Sequence, residues 1–365
     1  MTTLVLHIGS PKTGSSAIQA AFAPRPWRLR SGSWCLLPTN PYRHAEPAGC
    51  IAALYQPPED LPRVWAQRRT AHPVRFERDL ARYRALLQRR VQPRWRPHPQ
   101  ALFLSSEYLW TFSVDLIEQL RRDWLALGVS RFLVVAYVRS PIALYRSALQ
   151  QHAKLSSNWR RFRPHRWTYR FRQRLEAWRH VFGADLIVRP FDRSQLYRGC
   201  VVQDLAHTIH TSLVDHPPVP VARGQMAVNE SVSVEELMAM QELMQRCPAQ
   251  SGDGSLRRSE VLWALWKRLG RLRSEGGGLG TPVALQPRVE DVIQLRHQAD
   301  LDWLSETFAV HLPGLDPACL SVASDGTADG WSDDLSLADL LQLDVQQPWL
   351  ERLRIELAGC TLPAD

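Results

Sequence analysis

The chain has 365 residues, 45 % hydrophobic and 22 % charged, with a formal net charge of +9. This is the balance of a globular protein, long enough for one large domain or a domain with an appended lobe. No run approaches the roughly 20 apolar residues that a membrane helix needs, and the six cysteines (Cys35, Cys50, Cys200, Cys247, Cys319, Cys360) form no C-x-x-C pair, against a zinc ribbon or a dense disulfide scaffold.

Residues 1–9 lack both a basic leader and a long apolar stretch, so no signal peptide and a cytoplasmic protein are expected. Residues 4–8 form a short apolar run that predicts a buried strand, followed at once by a glycine-containing loop and a helix over 15–22. A weaker strand is expected at 34–37. Eleven arginines from Arg63 to Arg96 then crowd one stretch, within which 74–90 has a helical pattern. A strand at 102–105, a helix at 114–127, a strand at 132–138 and a helix at 141–154 come next. A second arginine group, Arg160 to Arg179, is interleaved with Trp159, Phe162, Trp167, Tyr169 and Trp178, and overlaps a helix at 169–182. A strand at 186–188 and a helix around 194–210 complete the alternation. Strands alternating with helices predict an α/β fold, a parallel central sheet flanked by helices. After about residue 248, Gly/Ser-rich stretches at 250–255 and 274–281 read as connections, and 325–344 is acidic. The expected division is a core over 1–248 and a mostly helical C-terminal extension over 249–365. The arginine clusters favour an anionic ligand: nucleotide, acidic glycan or nucleic acid.

The loop Gly9-Ser10-Pro11-Lys12-Thr13-Gly14-Ser15-Ser16 stands between strand and helix, the context in which backbone N–H groups hold phosphate. Against the Walker A pattern, Gly9, Gly14 and Ser16 fit, but the lysine after the second glycine is replaced by Ser15 and a lysine stands earlier, at Lys12. That displacement points to a different anionic group in place of a γ-phosphate. The run from His7 to Gln19 resembles the 5'-phosphosulfate-binding loop of sulfotransferases that use 3'-phosphoadenosine 5'-phosphosulfate (PAPS). By that resemblance Lys12, Thr13, Gly14, Ser15 and Ser16 bind the cofactor.

The strand over 132–138 ends in Arg139-Ser140-Pro141, with Ser140 suited to cap a helix and Pro141 to its first position. Arg139 therefore stands at a strand's C-terminal end, where open α/β sheets bind ligands, and Ser147 lies about two turns up the helix. A guanidinium fork and a hydroxyl suit a terminal phosphate. Arg139 followed eight residues later by Ser147 is similar to the 3'-phosphate motif of the same family, which implies that role for both. A third likeness, to bacterial sulfotransferase-like sequences, covers Arg223-Gly224 and Asn229 to Glu236, where Ser231 or Ser233 reads as a helix cap.

Sulfuryl transfer needs the donor held, charge on the leaving oxygen offset and the acceptor's proton removed. Lys12 suits the second task, and with the loop amides it supplies a positive field without a metal. For the third, Glu107 follows the strand over 102–105, and partial burial near Tyr108 and Trp110 would raise its pKa. By the same resemblance this is the strand end at which cytosolic sulfotransferases place a histidine base and several glycan sulfotransferases a glutamate. His44, His72 and His152 are rival bases. The expected acceptor is a hydroxyl or amine, with a saccharide ahead of a lipid or phenol. The competing readings are a P-loop kinase or NTPase, a nucleic-acid-binding module, and a sulfotransferase-like pseudoenzyme that binds PAPS without turnover.

Overall fold

Five short apolar runs form the strands β1 (Thr2–His7), β2 (Trp34–Leu36), β3 (Ala101–Ser105), β4 (Val129–Val138) and β5 (Leu186–Pro190). They pair in parallel in the order β2-β3-β1-β4-β5, with Leu4 of β1 opposite Leu102 of β3 and Phe132 of β4. This computed structural model describes residues 2–22, 34–38, 49–91, 99–221, 232–247, 256–276, 280–314, 331 and 335–362.

The helices are α1 (Ser15–Ala21), α2 (Gly49–Ala53), α3 (Arg63–Ala71), α4 (Pro73–Val91), α5 (Val114–Ala126), α6 (Pro141–Ala153), α7 (Phe171–Phe182), α8 (Val201–Ser212), α9 (Val234–Arg246), α10 (Leu256–Glu275), α11 (Pro287–Phe308), α12 (Leu337–Leu340) and α13 (Gln347–Leu357). Two compact units result. The first contains Met1–Arg139, Arg170–Val228 and Asp300–Pro313, and the second Ser140–Tyr169, Asn229–Ala299 and Gly314–Asp365. Residue 248, the expected boundary, lies outside the described residues.

In the first unit the sheet is covered on both faces, as an all-parallel sheet requires. Val5, Phe103, Leu133, Val135 and Tyr137 point to one side, where they pack with Ile18 of α1, with Phe22 at its C-terminal cap and with Val201, Leu205 and Ile209 of α8. Phe132 points to the other, its ring 5.2 Å from Phe182 of α7, and α5 packs against α7 and β4 there. The second unit has its own core, in which Tyr145 and Leu149 of α6 meet Leu237 and Met240 of α9, Leu269 of α10, Ile293 of α11 and Leu353 of α13.

Two helix starts differ from the sequence reading, each for a local reason. The helix expected over 194–210 begins only at Val201, because Arg198 (φ 54°) and Gly199 (φ 65°) are left-handed and end the turn before it. The helix expected from 169 begins at Phe171; Tyr169 instead donates its backbone N–H to His297 Nε2 at 2.9 Å. Ser233, one of the two expected caps, does cap α9, and it forms a capping box with Glu236. Of the acidic stretch, 337–340 form α12, with Leu340 fully buried in the core of the second unit. Residues 315–330 and 332–334 lie outside the described residues, as do His44, Arg223, Gly224, Asn229, Ser231 and Cys319. The other five cysteines are free thiols. No helix among the described residues is long and apolar enough to cross a membrane.

Candidate functional site

The order β2-β3-β1-β4-β5 puts β1 between the two halves of the sheet, so the chain turns toward opposite edges on either side of it. Such a switch point leaves a crevice at the strands' C-terminal ends. The segments that emerge there are 8–14 after β1, Ser106-Glu107 after β3, Arg139 after β4 and Phe191 after β5.

The loop after β1 is anchored to β4. Ile8 N–H donates to the Val135 carbonyl at 3.0 Å, and Ser10 N–H and the Gly9 carbonyl bond the Tyr137 carbonyl and N–H at 2.8 and 2.6 Å. Thr13, fully buried, donates its hydroxyl to the Ser10 carbonyl at 2.5 Å and closes the loop on itself. Gly9 (φ 91°), Lys12 (φ 63°) and Gly14 (φ 80°) are left-handed, which turns the chain back over the strand end. A side chain at Gly14 would lie 2.9 Å from Val201 Cγ1 and 3.2 Å from Phe191 Cε2, so glycine is needed there for space as well as for φ.

That path leaves donors without acceptors. Among the described residues, the N–H groups of Thr13, Gly14, Ser15 and Ser16 make no hydrogen bond. Ser15 is 3 % exposed, and its buried hydroxyl has no partner either. Successive amides without acceptors at a helix start, with a lysine in the loop, are groups suited to an anion.

Two of the strand-end residues touch this loop. Arg139 donates from Nη1 to the Lys12 carbonyl at 3.1 Å, and its guanidinium lies 5.5 Å from the centre of the Phe191 ring. Glu107, half-buried at the start of a 3₁₀ turn, has its Cα and Cβ 3.2 Å from where a Gly9 side chain would stand. Lys12, Thr13, Gly14, Ser15, Ser16, Glu107 and Arg139 are thus gathered around one loop. Ser147 is half-buried on α6 in the second unit. Of the rival histidines, His72 is the exposed C-cap of α3, and His152 Nε2 lies 2.5 Å from the Asn158 carbonyl.

Three features beneath the loop escape a reading of the sequence. His7 is completely buried at the end of β1, with Nδ1 2.7 Å from Ser105 Oγ and no hydrogen-bond partner at Nε2. Burial lowers its pKa from 6.5 to about 3, so the ring is neutral. Asp204, also fully buried, accepts from Tyr137 Oη (2.7 Å), from Arg189 Nε and Nη2 (3.1 and 2.7 Å) and from Tyr197 N–H (2.8 Å). Burial pushes this carboxyl's pKa up, but the bonds from Arg189, Tyr197 and Tyr137 outweigh it and hold the pKa below the ordinary value. Phe191 is the third, and the strand-end rule that singles out Glu107 and Arg139 applies to it equally, at the end of β5.

The aromatic residues of the second arginine group have a structural use. Trp159, Phe162, Tyr169 and Trp178 are buried, and Trp167 is half-buried against the core of the second unit. Among the described residues no group of three or more His, Cys, Asp or Glu side chains is arranged to hold a metal ion. No protein-family model, no curated protein and no solved structure matches the chain.

Proposed function

We propose that the protein is a PAPS-dependent sulfotransferase, with the loop after β1 as its phosphosulfate site. The observation that supports this reading most strongly is the set of four amides and one buried hydroxyl, from Thr13 to Ser16, that lack partners around a loop carrying Lys12 and held by Arg139. Thr13 and Ser15 are buried, and amides left free where a loop enters a helix are the groups that hold anions. The donor chemistry fits the cofactor: amides and hydroxyl for the 5'-phosphate, a lysine beside them, and a guanidinium at the neighbouring strand end for a second phosphate.

PAPS, when bound, supplies the sulfuryl group and carries away the bonding electron pair on its 5'-phosphate oxygen. In this reading the Thr13–Ser16 amides and Ser15 orient the phosphate, and Lys12 offsets the negative charge that grows on the leaving oxygen. Arg139 binds the 3'-phosphate. Glu107 accepts the proton of the acceptor, a hydroxyl or amine, with a saccharide hydroxyl as the favoured class. The lysine at 12 instead of 15 separates this reading from a P-loop kinase.

A transfer assay with labelled PAPS and saccharide, phenol and lipid-alcohol acceptors tests the assignment. Wild type should label at least one class. Glu107→Gln should keep its affinity for the product 3'-phosphoadenosine 5'-phosphate while transfer falls by about 100-fold or more. Activity that survives this change would move the base to another residue. Binding without any transfer by wild type would favour the pseudoenzyme.

A further inference from the structure

The second unit contains a cavity of about 530 Å³ along one face of α10, within the size range of small-molecule sites. Trp263, Trp266, Lys267, Gly270, Arg271 and Ser274 recur there at spacings of one to four, which brings them to the same side of the helix. Glycine is a poor residue for a helix interior, and at 270 it keeps side-chain bulk out of the middle of this face.

The walls have three chemistries. The first is aromatic: Trp266 donates its indole N–H to the Lys154 carbonyl at 2.9 Å, which fixes the ring, and Trp263 is 37 % exposed at the rim. The second is positive. Lys154, Lys267, Arg271 and Arg273 face one carboxylate, Glu236, and the Lys154 ammonium lies 5.6 and 5.9 Å from the centres of the two indole rings.

The third is an acceptor without a donor. Glu236 is 1 % exposed, and its Oε2 accepts from Ser233 N–H at 2.8 Å and from Arg273 Nη1 at 3.0 Å. Its Oε1 is buried and has no partner among the described residues. Burial raises the pKa of this carboxyl against the opposing pull of Ser233, Arg273 and Lys154. A buried acceptor at the wall of a basic, aromatic cavity calls for a ligand that brings its own donor.

We infer that this cavity binds an acidic saccharide. A sugar ring offers an apolar face to the indoles, its hydroxyls can donate to Glu236 Oε1, and a carboxylate or sulfate ester on it answers the lysines and arginines. A bare anion would leave Glu236 Oε1 and the indoles unanswered, and a neutral sugar would leave the cations so. The open rim at Trp263, Lys267 and Arg271, all exposed, admits a ligand longer than one ring. This inference is independent of the reaction proposed above.

Calorimetric titration with tetrasaccharides of hyaluronan and of heparin tests it, with the neutral tetramer of N-acetylglucosamine and adenosine 5'-phosphate as comparison ligands. At least one acidic tetrasaccharide should bind saturably, and the neutral tetramer about tenfold more weakly or less. Trp263→Ala should weaken that binding by about tenfold, and the double change Lys267→Glu with Arg271→Glu by more. These three side chains are exposed, so the variants should melt like wild type, which a thermal scan verifies. The inference is overturned if neither acidic probe binds or if the neutral tetramer binds equally well. It is also overturned if folded variants bind like wild type, or if adenosine 5'-phosphate displaces the saccharide and is itself lost on Trp263→Ala.

Discussion

Arg139 leaves β4 where Lys12 turns the loop back on itself, and its bond to the Lys12 carbonyl ties the two strand ends together. In the proposed site it has two jobs, to shape the loop and to hold the 3'-phosphate, and these separate experimentally. Arg139→Ala should weaken 3'-phosphoadenosine 5'-phosphate by about 10- to 100-fold, the worth of a charge-assisted hydrogen bond, and adenosine 5'-phosphate by much less. Equal losses by equilibrium titration would reduce Arg139 to a support for the loop. His7 makes a different prediction. Its folded pKa of about 3 lies below the ordinary 6.5, so on acidification the unfolded chain takes up the proton first. The stability linked to this group is complete above pH 6.5 and is lost as pH falls from there toward 3, at up to about 1.4 kcal/mol per pH unit. Urea unfolding of wild type and His7→Phe at pH 7 and pH 5 should show the smaller fall for the variant; parallel curves would contradict the assignment. Nothing in the sequence announces this histidine, because its isolation depends on Ser105 and Tyr137, which reach it from other strands.

At the scale of elements, the strands are legible in the sequence because strands buried on both faces are continuous apolar runs closed by polar residues. Their order is not, since β1 pairs with segments that lie about a hundred residues away along the chain. The loop is legible from Gly9, Lys12 and Gly14, but the hydrogen bonds that fix its path come from Tyr137 on the neighbouring strand. The start of α8 was beyond reach for a like reason: Arg198 is left-handed beside Tyr197, whose N–H is held by Asp204. Asp204 therefore joins β4, β5, the turn and α8 through one carboxylate. Asp204→Asn would leave Arg189 without its counter-ion. Because Arg189 is partly exposed, the loss expected is about 3 kcal/mol, at the low end for breaking a buried pair. Chemical denaturation checks this, and a loss below about 1 kcal/mol would show that solvent replaces the pair.

At the scale of the molecule, the two units are each assembled from separate stretches of chain. Composition along the sequence marks Gly/Ser-rich connections but does not reveal which helices share a core, because that depends on contacts between distant segments. The net charge of +9 suits anionic ligands in general, whereas the unpartnered donors from Thr13 to Ser16 are specific to one place. In the proposed function this place receives a bisphosphorylated adenosine and not a magnesium-bound triphosphate. Calorimetric titration of the purified protein with 3'-phosphoadenosine 5'-phosphate and with ATP, each with and without magnesium, tests it most directly. The bisphosphate should bind more tightly than ATP, with an affinity that magnesium does not change. Preference for magnesium–ATP would contradict it and make the loop a P-loop with a displaced lysine.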